Sequence, residues 1–225
     1  KNRIYLGLLN DFGYLESGDS SLYTFQSLRS MLPDSIGDFD EIWNIYELPE
    51  GMVFQAYEYL FILKDQEVEI FEPLNIFEFS FKVNDQLYIH EAGTGLFEYR
   101  QGNLFFLEWS ESIGEKEIWE IVKYKDDQLL ICTSGSGIYL YDGLNLSRWN
   151  TPVNQWVVED KIYSIKELDN NHFAIGTILN GLLVIDQEGN VLQHINRNNG
   201  LQNNTVLSLF RDNSKNLWLG LDNGI

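Results

Sequence analysis

Three histidines, one cysteine and a large surplus of carboxylates are the side chains in this 225-residue sequence that invite a chemical reading. His90, His172 and His194 sit at the edges of different apolar runs and share no spacing of metal ligands, so they read as ordinary strand residues. His90-Glu91 is set apart only because it leads into a turn. Glu108, Glu111, Glu115 and Glu117 gather around Trp109, a density that could supply an acid/base pair or hold a cation, or be a solvated acidic loop. The run Asp212-Asn213-Ser214-Lys215-Asn216 is similar to a calcium loop, but it lacks the central glycine and the acidic twelfth position. Cys132 lies in Leu129-Leu-Ile-Cys-Thr133 and reads as a small buried hydrophobe. A phosphate-cradling glycine loop, a nucleophile elbow and a zincin motif are all missing. The expectation is therefore no catalytic residue, no metal and no cofactor.

Composition narrows the partners. Lys and Arg number 15 against 34 Asp and Glu, a net charge of −19 spread along the chain. Such a surface repels phosphate backbones and anionic lipid, so direct nucleic-acid contact is not expected, and any membrane association would come from parts outside this segment. With 44% hydrophobic and 14% aromatic residues the chain can bury a substantial core. One cysteine permits no internal disulfide and leaves the compartment open. No stretch approaches the ~18 apolar residues that span a bilayer, and no signal-like run follows Lys1.

The elements that would position any site come from a repeat. Four segments share two β-like runs joined through small residues and a closing glycine: Leu87 to Phe97, Leu129 to Tyr139, Phe173 to Leu183, and Leu217 to Ile225. Their closing glycines, Gly95, Gly137, Gly181 and Gly224, step by 42, 44 and 43 residues. An earlier copy runs from Ile4 to Leu15, and a copy without glycines from Met52 to Leu63. Another apolar run precedes each of the later pairs (Ile42 to Tyr46, Phe77 to Phe81, Ile118 to Val122, Ile162 to Lys166, Val206 to Phe210). A weaker fourth run follows four of them (Val68 to Phe71, Leu104 to Leu107, Leu144 to Trp149, Val191 to Ile195). Turn chemistry bounds these runs, at Asn84-Asp85, Asp126-Asp127, Asp142-Gly143, Asp169-Asn170-Asn171, Glu188-Gly189-Asn190 and Asp222-Asn223-Gly224. Helical periodicity is not evident; Ser20 to Leu32 comes nearest and fits a strand and loop as well.

Four short antiparallel strands every 43 residues or so predict an all-β fold, a β-propeller of four-stranded antiparallel blades, since a lone blade cannot bury both faces. The blades fall at 39–72, 77–108, 117–149 and 161–195, with partial blades at 1–28 and 205–225, all one propeller segment. Both partial blades carry a second-strand motif (Ile4-Tyr-Leu-Gly7 and Leu217-Trp-Leu-Gly220), so they duplicate and do not complete one another. The expectation is a partial arc of a larger propeller. Within it, Trp218 beside Gly220 reads as an interior strand whose glycine admits a neighbouring blade. Sialidase-type propellers place Asp, Gly and Trp at a fixed spacing that is not met here.

The segment Asn199-Gly-Leu-Gln-Asn-Asn-Thr-Val-Leu-Ser-Leu-Phe-Arg-Asp-Asn-Ser-Lys-Asn-Leu-Trp-Leu-Gly-Leu-Asp-Asn-Gly-Ile225 resembles the two-component regulator propeller repeat. Ile4 to Leu15, with Asn10-Asp11-Phe12-Gly13-Tyr14, resembles the opening repeat of related regulators that carry a Tyr-rich β-sandwich after the propeller. The resemblance implies the extracytoplasmic (periplasmic) part of a membrane-anchored bacterial regulator, with a histidine kinase or DNA-binding output elsewhere in the protein. It implies ligand sensing or binding and no catalysis in this segment. A protein–protein interaction scaffold is the alternative, and a propeller glycosidase or lyase a more distant one. A small ligand such as an oligosaccharide, a protein partner, or homodimerisation of the full-length protein all fit.

In a propeller, the loops after the second and fourth strands of each blade emerge on one face near the channel. That places Asn10, Asp11, Phe12, Tyr57, Glu58, Thr94, Ser134, Ser136, Asn180, Asp222 and Asn223 in the first set, and Trp109, Trp156, Arg197 and Asn199 in the second. Aromatics among amides and hydroxyls suit sugar or peptide recognition, and the same residue types also form turns.

Overall fold

The computed structural model describes residues 3–17, 22–168 and 171–224. The first two residues of the Asp169-Asn170-Asn171 turn, the start of the Ser20 to Leu32 stretch, and Ile225 lie outside them. The chain divides into two compact units, Lys1–Glu115 and Lys116–Ile225.

The first unit holds three antiparallel meanders. β1 (Ile4–Leu8), β2 (Asp11–Ser17) and β3 (Tyr23–Ser27) form a three-stranded sheet. β4 (Asn44–Leu48), β5 (Gly51–Gln55), β6 (Leu60–Lys64) and β7 (Glu67–Phe71) form the next in sequential order. β8 (Phe77–Val83), β9 (Gln86–Glu91), β10 (Gly95–Arg100) and β11 (Asn103–Phe106) form the third. Tight turns join the strands, with Asn10, Asp65, Asn84 and Gln101 at positive φ, as two-residue hairpins demand. Alternate residues of facing sheets make the core. Phe12, Phe39, Phe54 and Phe61 pack in one cluster, while Leu60, Ile62, Phe77, Leu87 and Ile89 pack in another.

In the second unit, β12 (Ile118–Lys123), β13 (Leu129–Thr133), β14 (Gly137–Tyr141) and β15 (Leu146–Arg148) form one meander. β16 (Ile162–Glu167), β17 (Phe173–Thr177), β18 (Leu182–Ile185) and β19 (Val191–Ile195) form a second, and β20 (Val206–Arg211) pairs with β21 (Leu217–Leu221). Leu130, Cys132, Ile138, Ile162, Ile165, Phe173, Ile175 and Leu183 fill the core between the two meanders. Close sheet-to-sheet approach is visible at Gly176, where a Cβ would lie 2.8 Å from Val206 Cγ1 and also collide with Ser164 Oγ. At Gly220 the near atom is instead Ser208 of its own hairpin, and Trp218 is 51% exposed, so the expected interior packing is not seen there.

The one α-helix among the described residues, α1 (Pro152–Glu159), corrects the expectation of none. It starts with proline at its first turn, where a missing N–H costs nothing. Val153 and Val157, four apart, are buried in the core. Asn154 ties the helix to the sheet: its Oδ1 accepts from Ile138 N at 2.8 Å, and its Nδ2 donates to the carbonyls of Ile138 (3.0 Å) and Trp149 (2.7 Å). Eight residues make barely two turns, too few to set a helical period apart in sequence.

β8, β12, β16 and β20 each carry a register shift just after their first residue. Two residues then oppose one: Glu78 and Phe79 face His90, Trp119 and Glu120 face Cys132, and Tyr163 and Ser164 face Gly176. Such bulges re-aim a side chain at the end of a strand.

Candidate functional site

In the first unit the structure gathers Tyr57 and Glu58 with residues from two other segments. Gln55 has no exposed surface and anchors the group. Its Nε2 donates to Ala56 O and Phe77 O (3.0 and 2.9 Å), and its Oε1 accepts from Asn44 Nδ2 and Ser80 Oγ. Trp43 N donates to Gln55 O and Phe77 N donates to Tyr57 O, both at 2.8 Å, so the start of β4, the β5–β6 turn and the start of β8 are stitched together. The Trp43 and Tyr57 rings lie 5.3 Å apart and tilt by 39°. Trp43 is 46% exposed. Glu58 Oε2 accepts from Asp40 N at 3.1 Å. Burial raises the Tyr57 hydroxyl pKa, and the charges of Asp40, Glu78 and Glu58 raise it further.

Glu78 is backed by His90, a residue with no solvent exposure. His90 Nδ1 lies 3.0 Å from Glu78 Oε2, and Nε2 lies 3.2 Å from Gly114 O. Burial pushes the imidazole pKa down to about 4, and the Gly114 carbonyl opposes that shift.

The other residues expected on this face in the first unit serve the fold. Phe12 is no loop residue: it lies in β2 without exposed surface, 4.5 Å from the Phe54 ring and 4.8 Å from Phe61. Asp11 opens the same strand and accepts from Phe12 N and Ser27 Oγ, both at 2.7 Å. Asn10 holds the following connection through Asp38 Oδ1 (2.6 Å) and Phe39 N (3.2 Å). Thr94 Oγ1 donates to Glu91 Oε1 at 3.1 Å. Trp109 sits, part-buried, in a 3₁₀ segment Glu108–Ile113 and not in an irregular loop.

In the second unit, Trp156 lies on α1 and not on a loop, 40% exposed, edge-on to His194 at 5.6 Å. His194 Nε2 meets Asn180 O at 2.7 Å, and Asn180 Nδ2 donates to Asp160 Oδ2 at 3.0 Å, so Trp156 and Asn180 share one patch. Ser134 donates its backbone N–H to Glu117 O, and Ser136 Oγ accepts from Lys116 Nζ at 3.4 Å. Arg197, Asp222 and Asn223 are exposed on turns, and their neighbour Asn199 donates from Nδ2 to His194 O at 2.8 Å. Among the described residues no group of three or more His, Cys, Asp or Glu side chains is arranged to hold a metal.

The β20–β21 hairpin shows what its sequence pattern builds. Asp212 Oδ1 accepts from Asn216 N (2.8 Å), and Oδ2 from Asn216 Nδ2 (3.0 Å) and Trp218 Nε1 (2.9 Å). Those donors, Trp218 first, hold the Asp212 carboxyl down at about 2. Residues 200–223 match the model of the two-component regulator propeller family. Over that stretch the chain is similar to a two-component regulator propeller repeat. The same Asp–Asn closure occurs at Asp186, which accepts from Asn190 N (2.8 Å) and Nδ2 (2.9 Å).

No curated protein matches the chain. Among solved structures, it is similar to the extracellular domain of BT3049 from B. thetaiotaomicron, described as a hybrid two component system, at 14% identity and TM-score 0.53. That likeness covers 99% of this chain and 36% of the other. It is similar to PorZ, a surface component of the type-IX secretion system of Porphyromonas gingivalis, at 13% identity and TM-score 0.54, over 97% of this chain and 43% of PorZ. The WD40 β-propeller domain of Doa1 gives 10% identity and TM-score 0.61, over 96% of this chain and 84% of that one. At these identities the likeness establishes the fold, a β-propeller of four-stranded antiparallel blades, and the chain spans less than half of the first two. No helix among the described residues is long and apolar enough to cross a membrane.

Trp43, Asp40, Glu78, Asp160 and His194 are the site-forming residues that turn chemistry does not reveal. Trp43 and Glu78 each stand second in an apolar first-strand run, as do Trp119 and Tyr163, whose rings lie 4.4 Å apart. That shared place in the repeat is the signal that could have found them.

Proposed function

We propose that this chain is the extracytoplasmic ligand-binding propeller of a bacterial one- or two-component regulator, and that it binds without transforming what it binds. The regulator-propeller match over residues 200–223 carries the reading. The propeller fold supports it, and so do the Trp43 and Tyr57 rings, which backbone hydrogen bonds to Gln55 and Phe77 hold beside one another.

The test uses the full-length protein in its own cells. Impermeant labelling of intact cells should mark the propeller, and a ligand from a panel of oligosaccharides, amines and peptides should raise its Tm and change regulator output. A propeller shielded from the label overturns the extracytoplasmic placement. A silent panel with a stoichiometric protein partner would replace sensing by a scaffold role, and turnover of a bound compound would replace it by an enzymatic one.

A further inference from the structure

We infer that the cavity along α1, between Arg148 and Glu159, binds a short peptide with free ends, its carboxylate toward Arg148 and its ammonium group toward Glu159. This names a ligand class for the ligand-binding reading above and rests on that reading, at a place in the second unit and not at the Trp43 and Tyr57 rings of the first.

A cavity of about 440 Å³ opens between the end of β15 and α1, within the size range of small-ligand sites. Arg148, Asn150, Thr151, Gln155, Val158 and Glu159 are among the residues that line it. Arg148, Asn150, Gln155 and Glu159 are exposed there, while the buried Asn154, bonded to Ile138 and Trp149, fixes the helix that forms one wall. Among the described residues neither Arg148 nor Glu159 takes part in an ion pair. Gln155 Nε2 donates to Glu159 Oε1 at 3.1 Å, which turns that carboxylate back along the helix. Thr151 stands at the N-cap, yet its hydroxyl makes no capping bond and is a buried group without a hydrogen-bond partner.

The two charges run against the helix. A helix N-terminus favours an anion and a C-terminus a cation, but α1 has no acid in its first turn and no base in its last. Arg148 stands before its start instead, and Glu159 ends it. Neither side chain serves the helix in this arrangement. A ligand that brings a carboxylate to the first end and an ammonium group to the last complements the side chains and the helix dipole together. The length agrees. α1 has eight residues and is about 12 Å long. An extended chain advances ~3.3–3.6 Å per residue, so a peptide of three residues spans about 10 Å. Its amides would lie along Asn150 and Gln155, whose side chains both donate and accept. A ligand with one charge would satisfy one end only, and a neutral sugar neither.

Titration calorimetry of the full-length protein tests this with trialanine, its C-terminal amide, its N-acetyl form and maltotriose. Trialanine should bind on the order of tenfold tighter than either blocked peptide, and salt should weaken it. Arg148→Gln should abolish the preference over the amide and keep the preference over the acetylated form, and Glu159→Gln should do the reverse. Glu159→Lys should weaken binding by roughly tenfold without lowering Tm, since a cation suits the helix C-terminus. Equal binding of the three peptides, or both preferences surviving in both glutamine variants, overturns the inference. If no peptide binds while maltotriose or another compound does, this inference falls and the ligand-binding reading stands. If no ligand of any class binds, both fall.

Discussion

Replacing Glu120 with glutamine should stabilise the protein at pH 8 and leave it unchanged at pH 4. Glu120 lies in the β12 bulge opposite Cys132, and burial raises its pKa from 4.5 to about 7 against the pull of Lys166 and the Ile121 N–H. The folded protein thus keeps a proton that the unfolded chain releases near 4.5. Between about 4.5 and 7 the native state binds more protons, so stability falls as pH rises through that window and is level above it. A displacement from 4.5 to about 7 corresponds to about 3 kcal/mol at pH 8, a ceiling because the side chain keeps some solvent contact. Glutamine imitates the protonated form at every pH. Urea unfolding followed by tryptophan emission should show the variant equal to wild type at pH 4 and up to ~3 kcal/mol more stable at pH 8, a Tm gain of roughly 6–12 °C for a chain of this size. A gain that is the same at both pH values would refute the titration argument. A loss at pH 8 would show that the Lys166 attraction outweighs burial.

Asn154→Ala should cost about 2–3 kcal/mol in the same unfolding assay, because the Ile138 N–H is left buried without an acceptor; a cost near zero would mean that α1 is not clamped there. Gly176→Ala should destabilise by about 1–3 kcal/mol through collision with Val206 and Ser164, whereas Gly37→Ala, with nothing near its added carbon, should fall within ~0.5 kcal/mol. Trp218→Phe removes the foremost of the bonds that hold the Asp212 carboxyl at about 2, so its NMR titration midpoint should move up toward the ordinary carboxylate range. An unmoved midpoint would show that Asn216 alone sets it.

Strands were readable where one residue type dominates a run and a turn closes it. Leu129 to Thr133 and Ile162 to Lys166 are strands almost to the residue, because β-branched and aromatic side chains fill both faces of a buried meander and Asp, Asn or Gly must follow. Phe12 was misread for a local reason. The turn before it is short, with Asn10 at φ 55, so β2 begins at Asp11 and the residue that looked like a loop aromatic is already inside. Trp156 was misplaced because α1 is too brief for its Val153–Val157 spacing to stand out from a connecting segment.

Glu78 was hidden by a different cause, the bulge. Strict alternation assigns successive first-strand residues to opposite faces of a blade, so Glu78 and Phe79, or Trp119 and Glu120, should diverge. Where two residues oppose one, that rule fails at the first of the two, and the side chain there is turned off the sheet. The same device turns Glu78, whose charge acts on the Tyr57 hydroxyl, in the first unit, and Trp119, whose ring meets Tyr163, in the second. The β8, β12 and β16 bulges thus each supply one re-aimed position, held by Glu, Trp or Tyr, while the apolar residue before it (Phe77, Ile118 or Ile162) is buried. Recognition can change at that position without disturbing the core, which is why the pattern that reveals the fold says so little about the ligand.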